Sequence, residues 1–194
     1  MAYRVINENE STRELLVKCA SELLREKGSA FTIREVCAKA GVSVGTFYTY
    51  YKNKNELILE RLNRRDRFMI EELKNAPTEP EARMIAIAAS YIDYSLERGV
   101  VSVRDVYHSM LLNGVTTVND RETYLYRELA DTIAAGVACG AFIPELDQQQ
   151  FADTVLCALR GVNYNWCYYS GEGFDPKERA CHAVSLLVSA IRKR

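Results

Sequence analysis

Apolar residues recur at three- and four-residue intervals through most of the chain, and helix caps punctuate them. Ser11-Thr12-Arg13-Glu14 reads as a capping box, a hydroxyl with a carboxylate three residues on. The helix it opens carries Leu15, Leu16, Cys19, Leu23 and Leu24 at helical spacing and is expected to end at Gly28. A second capping box follows at Thr32-Ile33-Arg34-Glu35, with Phe31 and Val36 spaced as a hydrophobic staple. Ala40-Gly41-Val42 stops this short helix. Ser43 caps a third that runs to about Tyr51, and Asn53 with Glu56 caps a long fourth helix over 53–75.

Ala76-Pro77-Thr78-Glu79-Pro80 is the clearest break in the chain. Beyond it, helices are predicted over about 80–98, 102–113, 120–140, 147–170 and 176–192. Gly99 and Gly114 mark ends, and Asp120, Asp147 and Asp175 are the expected caps. Asp175-Pro176-Lys177-Glu178 is a strong start: an acidic cap, proline at the first helical position, glutamate at the third. No alternating apolar run argues for a sheet, so an all-α fold of about nine helices is expected.

Composition changes this picture little. About half of the 194 residues are hydrophobic and a quarter charged, enough for a sizeable core and unlike a disordered chain. No apolar run reaches the roughly 20 residues of a membrane helix. The polar start MAYRVINENES lacks an apolar signal core, so a cytoplasmic location is expected. The six cysteines form no C-x-x-C pair and read as small buried hydrophobes. The net charge of −1 hides an asymmetry: residues 1–75 hold 14 Lys/Arg against 11 Asp/Glu, while 76–194 hold 11 against 15. That sign suits an N-terminal contact with nucleic acid, but the motif has to carry the argument.

The motif is TIREVCAKAGVSVGTFYTYYKNKNEL over 32–57: helix, tight glycine turn, helix. Val36, Ala40, Val42 and Phe47 would fill the small core between the helices. Ser43, Val44, Thr46, Tyr48, Thr49 and Tyr50 are left as an outer face, uncharged and rich in hydroxyls and rings. Hydroxyls suit phosphate oxygens and base edges, and small apolar groups suit thymine methyls. Gly45 lowers helix stability by about 1 kcal/mol relative to alanine, which makes sense where a backbone must be approached closely. Lys54 lies in the first turn of the fourth helix, where amides and the helix dipole already favour an anion. One of Tyr48, Tyr50 and Tyr51 is expected to pack inward rather than face a ligand.

The string AGVSVGTFYTYYKNKNEL resembles the DNA-binding signature of TetR-family regulators. The match rests on Thr32, Ala40-Gly41-Val42-Ser43, Gly45-Thr46, Tyr48, Tyr50-Tyr51, Lys54 and Leu57, and runs over roughly 45 residues. Tyr51 stands where phenylalanine is usual, and Asn53 where serine is common; both Asn and Ser cap helices well. The resemblance implies phosphate contacts from Thr32 and Tyr48. It places Ser43, Val44 and Thr46 along a major groove, has Gly45 allow the approach, and has Lys54 hold a phosphate. It divides the chain into a three-helix helix-turn-helix DNA-binding domain, 1–55, and a larger helical ligand-binding and dimerisation domain, 56–194. The helix over 53–75 connects them.

In the second half, Gly140-Ala141-Phe142-Ile143-Pro144-Glu145-Leu146-Asp147, Ala158-Leu159-Arg160-Gly161 and Trp166 resemble the family's eighth helix and its approach. The last two helices then resemble its dimerisation pair. Phe151, Val155, Leu159, Val162 and Trp166 make one apolar stripe and Val184, Leu187, Val188 and Ile191 another. Each faces either a partner or the chain's own core. Candidate ligand contacts are Tyr91, Tyr94, Tyr107, His108, Met110, Tyr124, Tyr126, Tyr164 and Trp166, aromatic and polar groups of the kind that line a mostly apolar pocket. His108 and His182 are too isolated to be metal ligands.

The expected protein is a homodimer on double-stranded DNA with a palindromic operator, released by a mostly apolar or aromatic small molecule, with no cofactor, metal or membrane partner. Rival readings are an activator, a regulator signalled by another protein, and a helical small-molecule carrier or enzyme with a vestigial helix-turn-helix. No nucleophile–base motif, phosphate loop or metal spacing supports an enzyme.

Overall fold

A computed structural model describes residues 11–27, 30–113 and 120–193. The order is α1 (Thr12–Lys27), α2 (Ile33–Ala40), α3 (Val44–Tyr50), α4 (Lys54–Glu72), α5 (Pro80–Arg98), α6 (Val100–Asn113), α7 (Tyr124–Ala138), α8 (Gln148–Tyr168) and α9 (Pro176–Ile191). Among the described residues the only β pairing is an isolated bridge between Phe142 and Arg192. The all-α fold read from the periodicity is the one observed. The expected helix ends at Gly28 and Gly114 lie outside the described residues.

The chain divides into two compact units. Of the described residues, 11–27, 30–63 and 108–113 form one, and 64–107 with 120–193 the other.

In the first unit, Leu16, Val17, Cys19, Leu23, Phe31, Val36, Cys37, Ala40, Phe47, Tyr51 and Leu57 form one core. The caps work as the sequence predicted. Glu14 N donates to Ser11 Oγ at 3.3 Å while Glu14 accepts from Ser11 N at 3.1 Å. At the start of α4, Glu56 N donates to Asn53 Oδ1 at 2.9 Å, but the Glu56 carboxylate accepts from Lys52 N, one residue earlier than a capping box would have it. Arg13 pairs with the buried Glu60 at 3.0 Å and lies 5.7 Å from the Tyr51 ring centre. This ties α1, the end of α3 and the first half of α4 together.

The second unit is built on α5, α7, α8 and α9 around Met84, Ile87, Ile92, Leu129, Ile133, Phe142, Val155, Leu159 and Val184. Each helix start has a side-chain cap: Glu79 before Pro80, Thr123, Asp147, and Asp175 before Pro176. Two starts differ from expectation. The helix predicted from Asp120 begins at Tyr124, because Asp120–Glu122 forms a tighter 3-10 turn and Thr123 supplies the cap. α6 begins at Val100, immediately after Gly99, whose φ of 77° ends α5. Asp66 of α4 accepts from Tyr124 N at 2.9 Å, satisfying one of the free amides that open α7.

The apolar stripes of the last two helices face inward. Phe151, Val155, Leu159, Val162 and Trp166 of α8, and Val184, Val188 and Ile191 of α9, are buried within the single chain. The opposite faces carry Cys157, Tyr164, Tyr168, His182 and Leu186, all exposed. The cysteines are also not uniformly buried: Cys19, Cys37 and Cys167 are, but Cys139 and Cys157 are exposed. Spacing alone does not say which side of an amphipathic helix a small residue occupies when it sits at the stripe's margin.

Candidate nucleic-acid interface

Thr32 starts α2 from an extended backbone. Its N donates to Glu35 Oε2 at 2.7 Å, and Glu35 N returns to Thr32 Oγ1 at 3.2 Å. Lys27 donates to the other Glu35 oxygen at 2.5 Å. The Lys27 hydrogen bond first, then those from Thr32, hold the Glu35 carboxyl down at about 2. The Thr32 hydroxyl donates to Glu35 Oε2 at 3.0 Å, so a phosphate at this hydroxyl would have to take that hydrogen from the carboxylate.

Gly41 ends α2 with φ 70°, a left-handed conformation that turns the chain toward α3. Ser43 then caps α3: Thr46 N donates to Ser43 Oγ at 2.9 Å, and the two hydroxyl oxygens are 2.8 Å apart. Phe47 is fully buried and Tyr51 nearly so, their rings 5.7 Å apart. Tyr51 is thus the tyrosine that packs inward. Around these anchors Ser43, Val44, Gly45, Tyr48, Thr49 and Tyr50 are exposed, and Thr46 is half-buried. Tyr48 stands edge-on against Phe47, 5.4 Å between centroids, which fixes its ring while leaving it 56 % exposed. A Cβ added at Gly45 would meet only Ser43 Oγ, at an ordinary 3.5 Å. Nothing among the described residues requires glycine there.

Lys54 comes to the same place as Thr32. Its Nζ donates to the carbonyl of Phe31, the residue before the cap, at 3.1 Å and lies 5.0 Å from the Phe31 ring centre. The ammonium of α4 and the open amides of α2 therefore lie side by side. The structure thus gathers Thr32 with Lys54, and Ser43, Val44, Gly45, Thr46, Tyr48 and Tyr50 along one short helix.

The candidate ligand residues do not form a single group. Tyr91 is buried and neighbours Tyr107, whose hydroxyl donates to Arg160 O at 3.2 Å. Burial, with Tyr91 adding, pushes the Tyr107 hydroxyl up. Tyr164 stands edge-on to Tyr107 at 6.3 Å but is itself 48 % exposed. Trp166 is buried with Val103 and Cys167. Tyr124 is half-buried, its hydroxyl pushed up to about 12 by burial and then by Glu128. Tyr126 is buried at the start of α7, and burial, with Asp153 adding, pushes its hydroxyl up. His108 is exposed, and the Met110 side chain lies outside the described residues. Tyr94 belongs elsewhere, against Phe68 of α4.

Two features of this unit escaped the sequence reading. Asn163 is buried on α8, with Nδ2 donating to Ser95 Oγ at 2.8 Å and Oδ1 without a partner among the described residues. Arg64, Phe68, Tyr94, Glu97 and Arg98 line a solvent-open cleft of about 460 Å³. An arginine and a ring one turn apart on each of two helices joined by a short break was the available signal for the cleft.

A short capped helix, a left-handed glycine and a second capped helix with an uncharged outer face define a helix-turn-helix module. Residues 16–60 match the sequence model of the family described as bacterial regulatory proteins, tetR family. The N-terminal module is a tetR-family DNA-binding domain, and the whole chain has the fold of regulators of that class. The fatty acid degradation regulator FadR from Bacillus halodurans superposes with a TM-score of 0.72 at 18 % identity, over 97 % of this chain and 100 % of that one. The transcriptional regulator FadR from Bacillus subtilis, solved with stearoyl-CoA, gives 0.67 at 20 % identity, over 92 % and 98 %. A tetR-family regulator from Shewanella sp. PV-4 gives 0.70 at 15 %, over 95 % and 100 %. Among curated proteins, none matches the sequence. Among the described residues, no helix is long and apolar enough to cross a membrane, and no group of three or more His, Cys, Asp or Glu side chains is placed to hold a metal ion.

Proposed function

We propose that the chain is a ligand-responsive transcription regulator: a homodimer that binds a palindromic operator as a repressor and leaves it when a small molecule occupies the second unit. The observation that carries the DNA reading is the outer face of α3. Its exposed positions are hydroxyls, valine and tyrosine rather than charges, and at Gly45 it is bare although none of the described residues would clash with a Cβ there. A backbone bared in this way suits close approach to a groove, with Ser43, Val44 and Thr46 toward base edges. Thr32 and Tyr48 would contact the phosphates alongside, and Lys54 would hold one at the shared start of α2 and α4.

Dimerisation falls to the outer faces of α8 and α9. Tyr164, Tyr168 and Leu186 expose large apolar surface there, although each helix already buries an apolar stripe in its own core. Two-fold pairing of the modules implies half-sites about one DNA turn apart, hence a palindrome. The effector is expected to be mostly apolar or aromatic, in keeping with the tyrosine-rich interior around Tyr91 and Tyr107. Solved proteins of this fold hold stearoyl-CoA or triclosan. A ligand that binds one conformation of the dimer more tightly shifts the population toward it, and release follows if that conformation misfits the half-site spacing.

The test is selection of bound sequences from randomised duplex DNA, with Tyr48→Ala alongside the unmodified protein. Enrichment of a palindrome that Tyr48→Ala binds weakly supports the reading. No enrichment at low salt, or equal binding by the variant, refutes it.

A further inference from the structure

The cleft in the second unit is built from two matched pairs. On α4, Arg64 precedes Phe68 by one helical turn; on α5, Arg98 follows Tyr94 by one turn. The two rings meet with centroids 5.5 Å apart. The ring contact joins α4 to α5 at one point, and the arginine of each pair lies one turn from it on its own helix. Both arginines line the same cleft of about 460 Å³, and the Arg98 guanidinium lies 5.7 Å from the Tyr94 ring centre. Among the described residues, neither arginine is in an ion pair, and Glu97, which lines the cleft with them, pairs with neither. The position of Arg98 in the last turn of α5 suits the helix dipole. No such reason exists for Arg64 in the middle of α4.

We propose that this cleft binds a small anion carried on a planar ring: a carboxylate or phosphate ester whose charged group sits between Arg64 and Arg98 and whose ring lies on Phe68 and Tyr94. Two like charges over an apolar floor repel one another. An anion between them replaces that repulsion with two charge-assisted, fork-shaped contacts. The ring pair offers flat apolar surface of the kind that fixes a ligand's body. Glu97 leaves the cleft with a net positive charge and supplies an acceptor for a hydroxyl on the ligand. The proposal deepens the effector reading and rests on it only for the consequence at the operator.

The test is calorimetric titration of the full chain, without DNA, at fixed ionic strength. The probes are 2-naphthoate, 2-naphthyl phosphate and the neutral 2-naphthamide. At least one anion should bind about tenfold or more tightly than the amide, the size of one charge-assisted hydrogen bond. The carboxylate and phosphate arms distinguish the two anion chemistries. Arg64→Gln and Arg98→Gln should each lose that advantage and keep the amide's affinity, while Arg64→Lys retains part of it. Thermal melting of each variant checks that it is folded. Equal affinity for amide and anions, no anion binding up to millimolar concentration, or undiminished binding by folded glutamine variants would each overturn the proposal. Because no DNA is present, such a failure leaves the operator reading standing, and failure to select an operator leaves the cleft standing.

Discussion

Lys54 at the start of α4 and Phe31 just before α2 hold each other across the helix-turn-helix. The ammonium donates to the Phe31 carbonyl at 3.1 Å and lies 5.0 Å from the ring centre. This contact fixes a flexible side chain beside the N-terminus of α2, so the charge is in place before any phosphate arrives. Lys54→Ala should therefore weaken binding to all duplex sequences alike. It should also lower the slope of log affinity against log salt by about one. Filter binding at several salt concentrations reads both. An unchanged slope would remove Lys54 from the interface.

Gly45 separates folding from function. A Cβ there meets nothing closer than Ser43 Oγ at 3.5 Å. Gly45→Ala should leave stability unchanged or raise it by up to about 1 kcal/mol through helix propensity, while operator affinity falls. Thermal melting and DNA binding of the same preparation decide it. A variant that binds as well as the parent would mean nothing approaches this backbone.

Glu35 gives the module a pH dependence of known sign. Its carboxyl is lowered from 4.5 to about 2, by Lys27 first and Thr32 next. A lowered carboxyl contributes stability that is complete above its unfolded value and lost as pH falls through the folded one. The melting temperature of Glu35→Gln should thus lie furthest below that of the parent above pH 4.5, and the gap should close toward pH 2. The group is exposed, so salt should narrow the gap as well. A gap independent of pH would refute the assignment.

Gly136 is required by packing rather than by conformation. A Cβ there would overlap the ring of Phe142. Phe142 has little freedom to retreat: it is fully buried, its N donates to Gly136 O at 3.0 Å, and it pairs with Arg192. Gly136→Ala should cost about 1–3 kcal/mol, the usual range for an overpacked core. Urea unfolding measures it.

Leu186 tests the dimer. It is 57 % exposed on α9. Leu186→Glu should leave melting of the chain's own core nearly unchanged and shift sedimentation from dimer to monomer. A dimer that survives the substitution places the interface elsewhere.

Local patterns along the chain were enough to define most helices and the helix-turn-helix. Capping boxes and glycine stops are local: Thr32 finds Glu35 three residues away, and Gly41 turns the chain without help from elsewhere. A face made of Val44, Gly45 and Tyr48 follows once Phe47 is assigned to the core. The second unit was less legible because its features are contacts between helices distant in sequence. The stripe from Phe151 to Trp166 is equally periodic whether it faces a partner or the chain's own interior, and only the packing of α5, α6, α7, α8 and α9 sent it inward. Asp66 reaching the amide of Tyr124, Asn163 reaching Ser95, and Arg64 and Arg98 lining one cleft depend on which helices lie together. Helix periodicity fixes which residues share a face. Tertiary packing alone decides what that face meets.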